Sequence, residues 1–222
     1  MAVPIKIDFV SDVACPWCAV GLKSLEAAMA RIGEDLQVEL HFQPFELNPQ
    51  MPAEGEDAVE HLTRKYGISA EQAAQNGEAI RVRGAALGFE FRMDRRRHVY
   101  NTFDAHRLLH WAGEQGQGRQ LALKHALLSA YFTGGENISS ADTLSKLAVE
   151  AGLDGARARQ ILATDEFAEA VRQQESFYAS QGISAVPSVI FNDRHLIQGG
   201  QPVELFEQAL RQLSGIQAPG VA

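Results

Sequence analysis

The sequence predicts an α/β fold in which a long all-helical segment interrupts a small sheet. Three observations carry this reading. Residues 5–44 read as strand, amphipathic helix and strand. Apolar spacings of three and four dominate from about Glu56 to Gly182, and strand pattern returns at 189–198 ahead of a closing helix. Neither the leading unit nor the trailing hairpin has enough strands to be stable alone, so the two are expected to share one sheet.

Ile5, Ile7 and Phe9 alternate with Lys6 and Asp8, which sets apolar side chains on one face of a first strand. Leu22, Leu25, Ala28, Met29 and Ile32 then recur at helical spacing, and Gly33 supplies a C-terminal stop. Val38, Leu40 and Phe42 alternate again up to Pro44, completing a unit of the size that parallel pairing requires. In the helical block, Ser69 and Gln72 form a capping-box pattern for a helix running to about Leu87 before Gly88. Leu144, Leu147, Ala148 and Ala151 make an apolar stripe behind a cap at Ser140, and Leu121, Leu128 and Phe132 make another. Val189, Ile190 and Phe191, the turn residues Asn192-Asp193-Arg194, and His195 to Gln198 read as a hairpin. Val203, Phe206, Ala209, Leu210 and Leu213 form the last helix, with Pro202 expected in its first turn, and the Ala218-Pro219-Gly220 tail is expected to fray. These elements divide the chain into a discontinuous α/β domain, 1–50 with 183–215, and a helical insertion, 51–182.

Composition narrows the function. Hydrophobic residues at 45% and charged residues at 22% match a folded globular chain. A formal net charge of −8 offers no general attraction to a phosphate backbone, so nucleic acid is not expected as a partner. No apolar run approaches the roughly 20 residues of a membrane span, and Met1 leads straight into the first strand without a basic start and apolar core, so neither membrane insertion nor secretion is expected.

The chain has only two cysteines, Cys15 and Cys18, in the run Cys15-Pro16-Trp17-Cys18 between the first strand and helix. A tight pair points to chemistry or metal rather than to a structural staple. A structural zinc site needs four ligands; no second cysteine pair exists, leaving only scattered histidines. A helix starting at Pro16 aims its unpaired N–H groups and positive dipole end at the Cys15 sulfur, favouring the thiolate over the free value of about 8.5. Cys18, one turn on, can attack a mixed disulfide formed at Cys15. Cys15 is thus expected to be the nucleophile and Cys18 the resolving thiol. Trp17 reads as a substrate anchor or as a residue packed on the helical block.

The segments Asp8-Phe9-Val10-Ser11-Asp12, Cys15-Pro16-Trp17-Cys18 with Gly21, Val186-Pro187-Ser188 and Gly199-Gly200-Gln201-Pro202 resemble those of the FrnE group of the DsbA family. Asn101-Thr102-Phe103-Asp104-Ala105-His106-Arg107 and Ser139-Ser140-Ala141-Asp142 extend the likeness through the insertion. The resemblance implies a thioredoxin-like fold with a large all-helical insertion, thiol-disulfide oxidoreductase or isomerase activity in the cytoplasm, and a cis proline at Pro187 facing the sulfurs. Only roughly 5 to 6% of X-Pro bonds are cis, so Val186-Pro187 alone would be read as trans. A cis bond would leave the Val186 backbone to bind an extended substrate segment. Pro16, Trp17, Val186, Pro187, Asn101 and His106 are the implied substrate-binding residues, with protein or small-molecule thiols and disulfides as partners. No resident cofactor or metal is expected, and glutathione is a candidate co-substrate. The chain departs from some FrnE relatives in lacking cysteines near its C-terminus. Kappa-class glutathione transferases and hydroxychromene-carboxylate isomerases resemble the same architecture but carry serine where Cys15 stands; they supply the alternative function. A third reading is a peptide-binding protein.

Other signals have simpler readings. His106 and His110 lie one helical turn apart, suiting either a metal or packing against the insertion. Arg95-Arg96-Arg97 is a solvated or salt-bridged loop, or an anion site for glutathione or an acidic peptide. Gly199 and Gly200 suit the hairpin-to-helix turn better than phosphate binding.

Overall fold

The computed structural model describes residues 3–217; the 218–220 tail expected to fray lies outside them. The chain opens with β1 (Val3–Ser11), α1 (Pro16–Ile32) and β2 (Leu36–Pro44). The helical block follows: β3 (Glu56–Asp57), α2 (Ala58–Tyr66), α3 (Ala70–Ala86), β4 (His98–Val99), α4 (Phe103–Glu114), and α5 (Gln117–Ser129) running into a π turn at Ala130–Gly134. Then come α6 (Ala141–Glu150), α7 (Gly155–Leu162), α8 (Ala168–Ser180), β5 (Ser188–Phe191), β6 (His195–Gln198) and α9 (Val203–Ser214).

The main sheet has the order β2-β1-β5-β6. β1 pairs in parallel with β2, bringing Ile7 beside Leu40 and Phe9 beside Phe42, and antiparallel with β5, bringing Phe9 beside Val189 and Val10 beside Ser188. The leading and trailing pieces therefore do share one sheet. Asn192 and Asp193 make its hairpin turn with positive φ, a conformation their short polar side chains tolerate. Asn192 also accepts from the Lys6 N–H at 3.0 Å, fastening the turn to β1. Ile5, Ile7 and Phe9 share a core with Leu22, Leu25 and Ala28 of α1 and Phe206 and Leu210 of α9. Arg31 joins these helices at their surface through Glu204 and Glu207.

Several local expectations change in the fold. The Ser69–Gln72 capping box closes in both directions. Ser140 occupies the N-cap of α6, yet its hydroxyl makes no capping bond. Pro202 stands at the N-cap of α9, one residue before the first turn in which it was expected. The short β3–β4 ladder interrupts a block that periodicity reads as helix, because two paired residues leave too short a pattern to register.

β2 is an edge strand, and edge strands expose unpaired backbone groups. Here α5 covers that edge. The Gln120 amide accepts from Phe42 N–H at 3.0 Å and donates to Phe42 C=O at 3.2 Å, imitating a strand partner. It also donates to Leu109 C=O at 3.1 Å, tying α4 to the same point. Gln120→Leu would strand these buried groups and should lower stability by about 1–3 kcal/mol, as measured by urea unfolding of the reduced protein.

Candidate active site

Cys15 is the N-cap residue of α1, with Pro16 at the first helical position, where its missing N–H costs nothing. Neither sulfur is in a disulfide; Cys15 is 4% exposed and Cys18 fully buried. In its thiol form Cys15 Sγ donates weakly to the Val186 carbonyl at 3.7 Å. The Val186–Pro187 bond is cis. The Val186 N–H has no hydrogen-bond partner among the described residues.

The two thiols are driven in opposite directions. A hydrogen bond from the Cys18 thiol holds Cys15 below the ordinary thiol range against the cost of burial; the Cys18 and Trp17 amides at the helix mouth help, and the Asp12 charge opposes. Burial pushes Cys18 well above that range, and the neighbouring Cys15 pushes it further, with only Lys124 and an Asp12 backbone contact acting the other way.

Two glycines permit the close approach that forms the mouth. A Cβ on Gly21 would lie 3.0 Å from Pro187 Cγ, so α1 reaches Pro187 only because that position is bare. A Cβ on Gly200 would meet the Trp17 ring and its carbonyl at 3.1 Å. Gly199 has φ +85°, serving the hairpin-to-helix turn. Trp17 stays 37% exposed, with the Arg83 guanidinium 5.7 Å from its ring centroid, and Arg83 donates to Gly200 C=O at 2.8 Å. Trp17 therefore both packs on α3 and presents a face to solvent. α2 brings two groups that periodicity did not single out, Lys65 and Tyr66, close enough to feel the Cys15 charge. Lys65 is held by Leu47 C=O and Asn48 Oδ1 at 2.7 and 2.6 Å.

The two residues carried over from the insertion have structural partners instead. Asn101 donates to Met51 C=O at 3.0 Å and accepts from Phe103 N–H at 2.9 Å, turning the chain into α4. His106 is buried and donates from Nε2 to Phe45 C=O at 3.1 Å, with Asp12 3.5 Å away. Neither bonds a cysteine. Arg107 of the same motif donates to the Ile161 and Glu166 carbonyls at 2.5 and 2.8 Å and pairs with Asp104, anchoring the end of α7. Asn101 and Arg107 tie parts of the insertion to one another, while His106 ties it to the 1–50 segment.

Asp12 is the acidic residue behind the mouth. Burial acts to raise its carboxyl, but His106 and the N–H groups of Leu47 and Ala14, at 2.7 and 3.2 Å, together hold it below the usual carboxylate range. His110 bonds Gln174 and not a ligand set shared with His106, and no group of three or more potential metal ligands gathers among the described residues. In the basic stretch, Arg92 pairs with Asp94 while Arg96 bonds the Tyr131 hydroxyl at 2.9 Å and lies over the Tyr131 and Phe132 rings.

Three outcomes follow. Iodoacetamide should label Cys15 first, at a rate rising through a pH below the free-thiol range of about 8.5, and leave Cys18 unlabelled; peptide mass mapping across pH reads both. The Cys15 shift stabilises the reduced fold above the unfolded thiol's range, and this contribution is lost as pH falls through the folded value. Gly21→Val should drive atoms into Pro187 and destabilise the protein by about 1–3 kcal/mol, measured by calorimetry.

Known proteins agree with this architecture. The YwbO protein of Bacillus subtilis (strain 168), itself uncharacterized, is 32% identical over 212 residues, covering 95% of this chain and 96% of its own length. The crystal structure of a probable DsbA oxidoreductase from Streptomyces coelicolor superposes with a TM-score of 0.88 at 36% identity, covering 98% of this chain and 93% of that one. The cytosolic disulfide reductase DsbM from Pseudomonas aeruginosa, solved with GSH, shares the fold at a TM-score of 0.62 and 18% identity, with 94% of this chain and 98% of that one covered. With residues 6–211 also matching the model of the DSBA-like thioredoxin domain, the chain belongs to the DsbA-like family of thioredoxin-fold proteins.

Proposed function

We propose that the protein is a thiol-disulfide oxidoreductase and isomerase of the FrnE type, in which Cys15 attacks a substrate disulfide and Cys18 resolves the resulting mixed disulfide. The observation that carries the reading is the opposed setting of two sulfurs one helical turn apart. One lies at the N-cap of α1 below the ordinary thiol range, and the other is fully buried one turn behind it. The Cys15 thiolate forms the first S–S bond and expels one substrate thiolate. Cys18, once ionised, displaces the second and leaves a Cys15–Cys18 disulfide, so the substrate gains the two electrons that the pair loses.

In this reading the 1–50 and 183–215 segments carry the chemistry, and the 51–182 insertion walls one side of the mouth. Val186 offers its N–H to an extended substrate backbone beside Pro187, and the exposed faces of Trp17 and Tyr66 take its apolar side chains. The single cysteine pair and the cytosolic DsbM relative support a cytoplasmic site of action.

Glutathione as co-substrate is a second reading, favoured by the GSH bound to that DsbM structure and by Lys65 of α2, whose charge interacts with that of Cys15. A transferase or isomerase of the kappa or hydroxychromene-carboxylate type would use Cys15 alone. Cys15→Ala should abolish reduction of insulin disulfides, and Cys18→Ala should accumulate a mixed disulfide visible by mass spectrometry. Insulin reduction by Cys15→Ala at the unaltered rate would remove the proposal. Glutathione-dependent turnover of a small aromatic substrate surviving in Cys18→Ala would favour the alternative.

A further inference from the structure

The rim of the mouth carries a cation whose hydrogen-bond donors are largely unspent. Arg83 of α3 is half-buried, and its guanidinium stands 5.7 Å from the ring centroid of Trp17, a residue of the run between the two cysteines. Its Nη2 donates to Gly200 C=O at 2.8 Å, and among the described residues it makes no other hydrogen bond. A guanidinium carries several N–H donors, so most of them remain. Arg83 also pairs with no carboxylate among the described residues, whereas Arg81, on the same helix, is gripped by both Glu78 oxygens at 2.7 Å.

Backbone contacts fix where this guanidinium stands. Gly199 N–H donates to Pro187 C=O at 2.8 Å, and Gly200 fits against the Trp17 ring and carbonyl because it has no side chain. Arg83 closes this run from Pro187 round to Trp17 and holds α3 to both ends of it. Two other cations of this region are already committed. Lys65 Nζ donates to Leu47 C=O and Asn48 Oδ1 at 2.7 and 2.6 Å. Arg96 gives its Nε to the Tyr131 hydroxyl at 2.9 Å and lies over the Tyr131 and Phe132 rings. Of the three, Arg83 has the donors to spare.

A guanidinium held against an aromatic face suits a carboxylate, whose two oxygens accept parallel N–H bonds in one plane. The chain as a whole works against such a ligand, with a formal net charge of −8. At physiological salt that repulsion is screened beyond roughly 8 Å, so the nearest unpaired cation decides what the mouth attracts. Resting on the disulfide-exchange reading, we propose that Arg83 determines specificity, selecting thiols and disulfides that carry a carboxylate within one or two residues of the reacting sulfur. Trp17 stands two positions beyond Cys15, so a neighbour of the captured cysteine meets the guanidinium, rather than that cysteine itself. Two sources supply this chemistry: an acidic side chain flanking a cysteine in an extended protein segment, and the carboxylates of glutathione.

The test uses the reduced protein and thiols activated as 2-pyridyl disulfides. The Cys15 thiolate forms a bond to the substrate sulfur, the S–S bond to the pyridyl group breaks, and pyridine-2-thione leaves with that electron pair and absorbs. One pair of probes is a cysteine peptide with glutamate, or with glutamine, at the positions flanking the cysteine. The second pair is glutathione and its diethyl ester. Thione release from the glutamine peptide reports on the exchange reading, since it requires Cys15 and no carboxylate; the ratio of rates within a pair reports on Arg83. The unaltered protein should capture the carboxylate-bearing member about 5-fold faster, the upper range for an accessible ion pair, and the pair that shows the preference identifies the source. Arg83→Met should bring this ratio to about one, Arg83→Lys should keep part of it, and Arg83→Glu should invert it. A general misplacement of Trp17 would slow both members of a pair together and leave their ratio where it was. No preference in either pair for the unaltered protein, an undiminished ratio in Arg83→Met, or a retained preference in Arg83→Glu would overturn the proposal.

Discussion

The antiparallel register of β1 against β5 is the constraint on which the site depends. It sets Val10 beside Ser188, and from that pairing the chain can bring Val186 to within 3.7 Å of a sulfur 171 residues earlier. The fit tolerates little. α1 meets Pro187 across a bare Gly21, and the β6–α9 turn meets Trp17 across a bare Gly200, so the mouth is shaped by backbone closeness on both sides. Side chains added at either point would have to push apart elements that the sheet holds together.

Opposite titration of two thiols a single turn apart follows from where the helix begins. Cys15 sits at the N-cap, where unpaired amides and the dipole's positive end favour an anion, while Cys18 has entered the helix and the core. Their hydrogen bond reinforces the difference, because the thiol that keeps its proton donates it to the one that has lost it. Nucleophile and resolving thiol are thereby separated by environment rather than by residue type.

The helical block does more than cover the sheet. Gln120 completes the exposed edge of β2, His106 braces the Asp12 loop, and Arg107 pins the end of α7. These polar groups are buried with their partners in place, so the block and the sheet are joined by directional bonds as well as by apolar contact. Lys124 and Ser145, from the same block, have buried polar atoms without such a partner among the described residues.

Much of this was legible in the chain. Alternation at Ile5–Phe9 and Val38–Phe42, helical spacing at Leu22–Ile32 and turn chemistry at Asn192-Asp193 determined the sheet-forming elements, because period two and period three-to-four patterns are local properties. The Cys15-Pro16-Trp17-Cys18 run announced its chemistry for the same reason: a helix start and a one-turn spacing need no distant partner. Lys124 falls between Leu121 and Leu128 on the apolar stripe, and that it is fully buried there was not read from the sequence. What only the tertiary structure decided was partnership. Asn101 and His106, read as cleft residues, became braces because their acceptors at Met51 and Phe45 lie in segments far along the chain. Asp12, Lys65, Tyr66 and Gln120 gained their places in the same way. Periodicity reports which face of an element is buried; what that face is buried against depends on how distant elements pack.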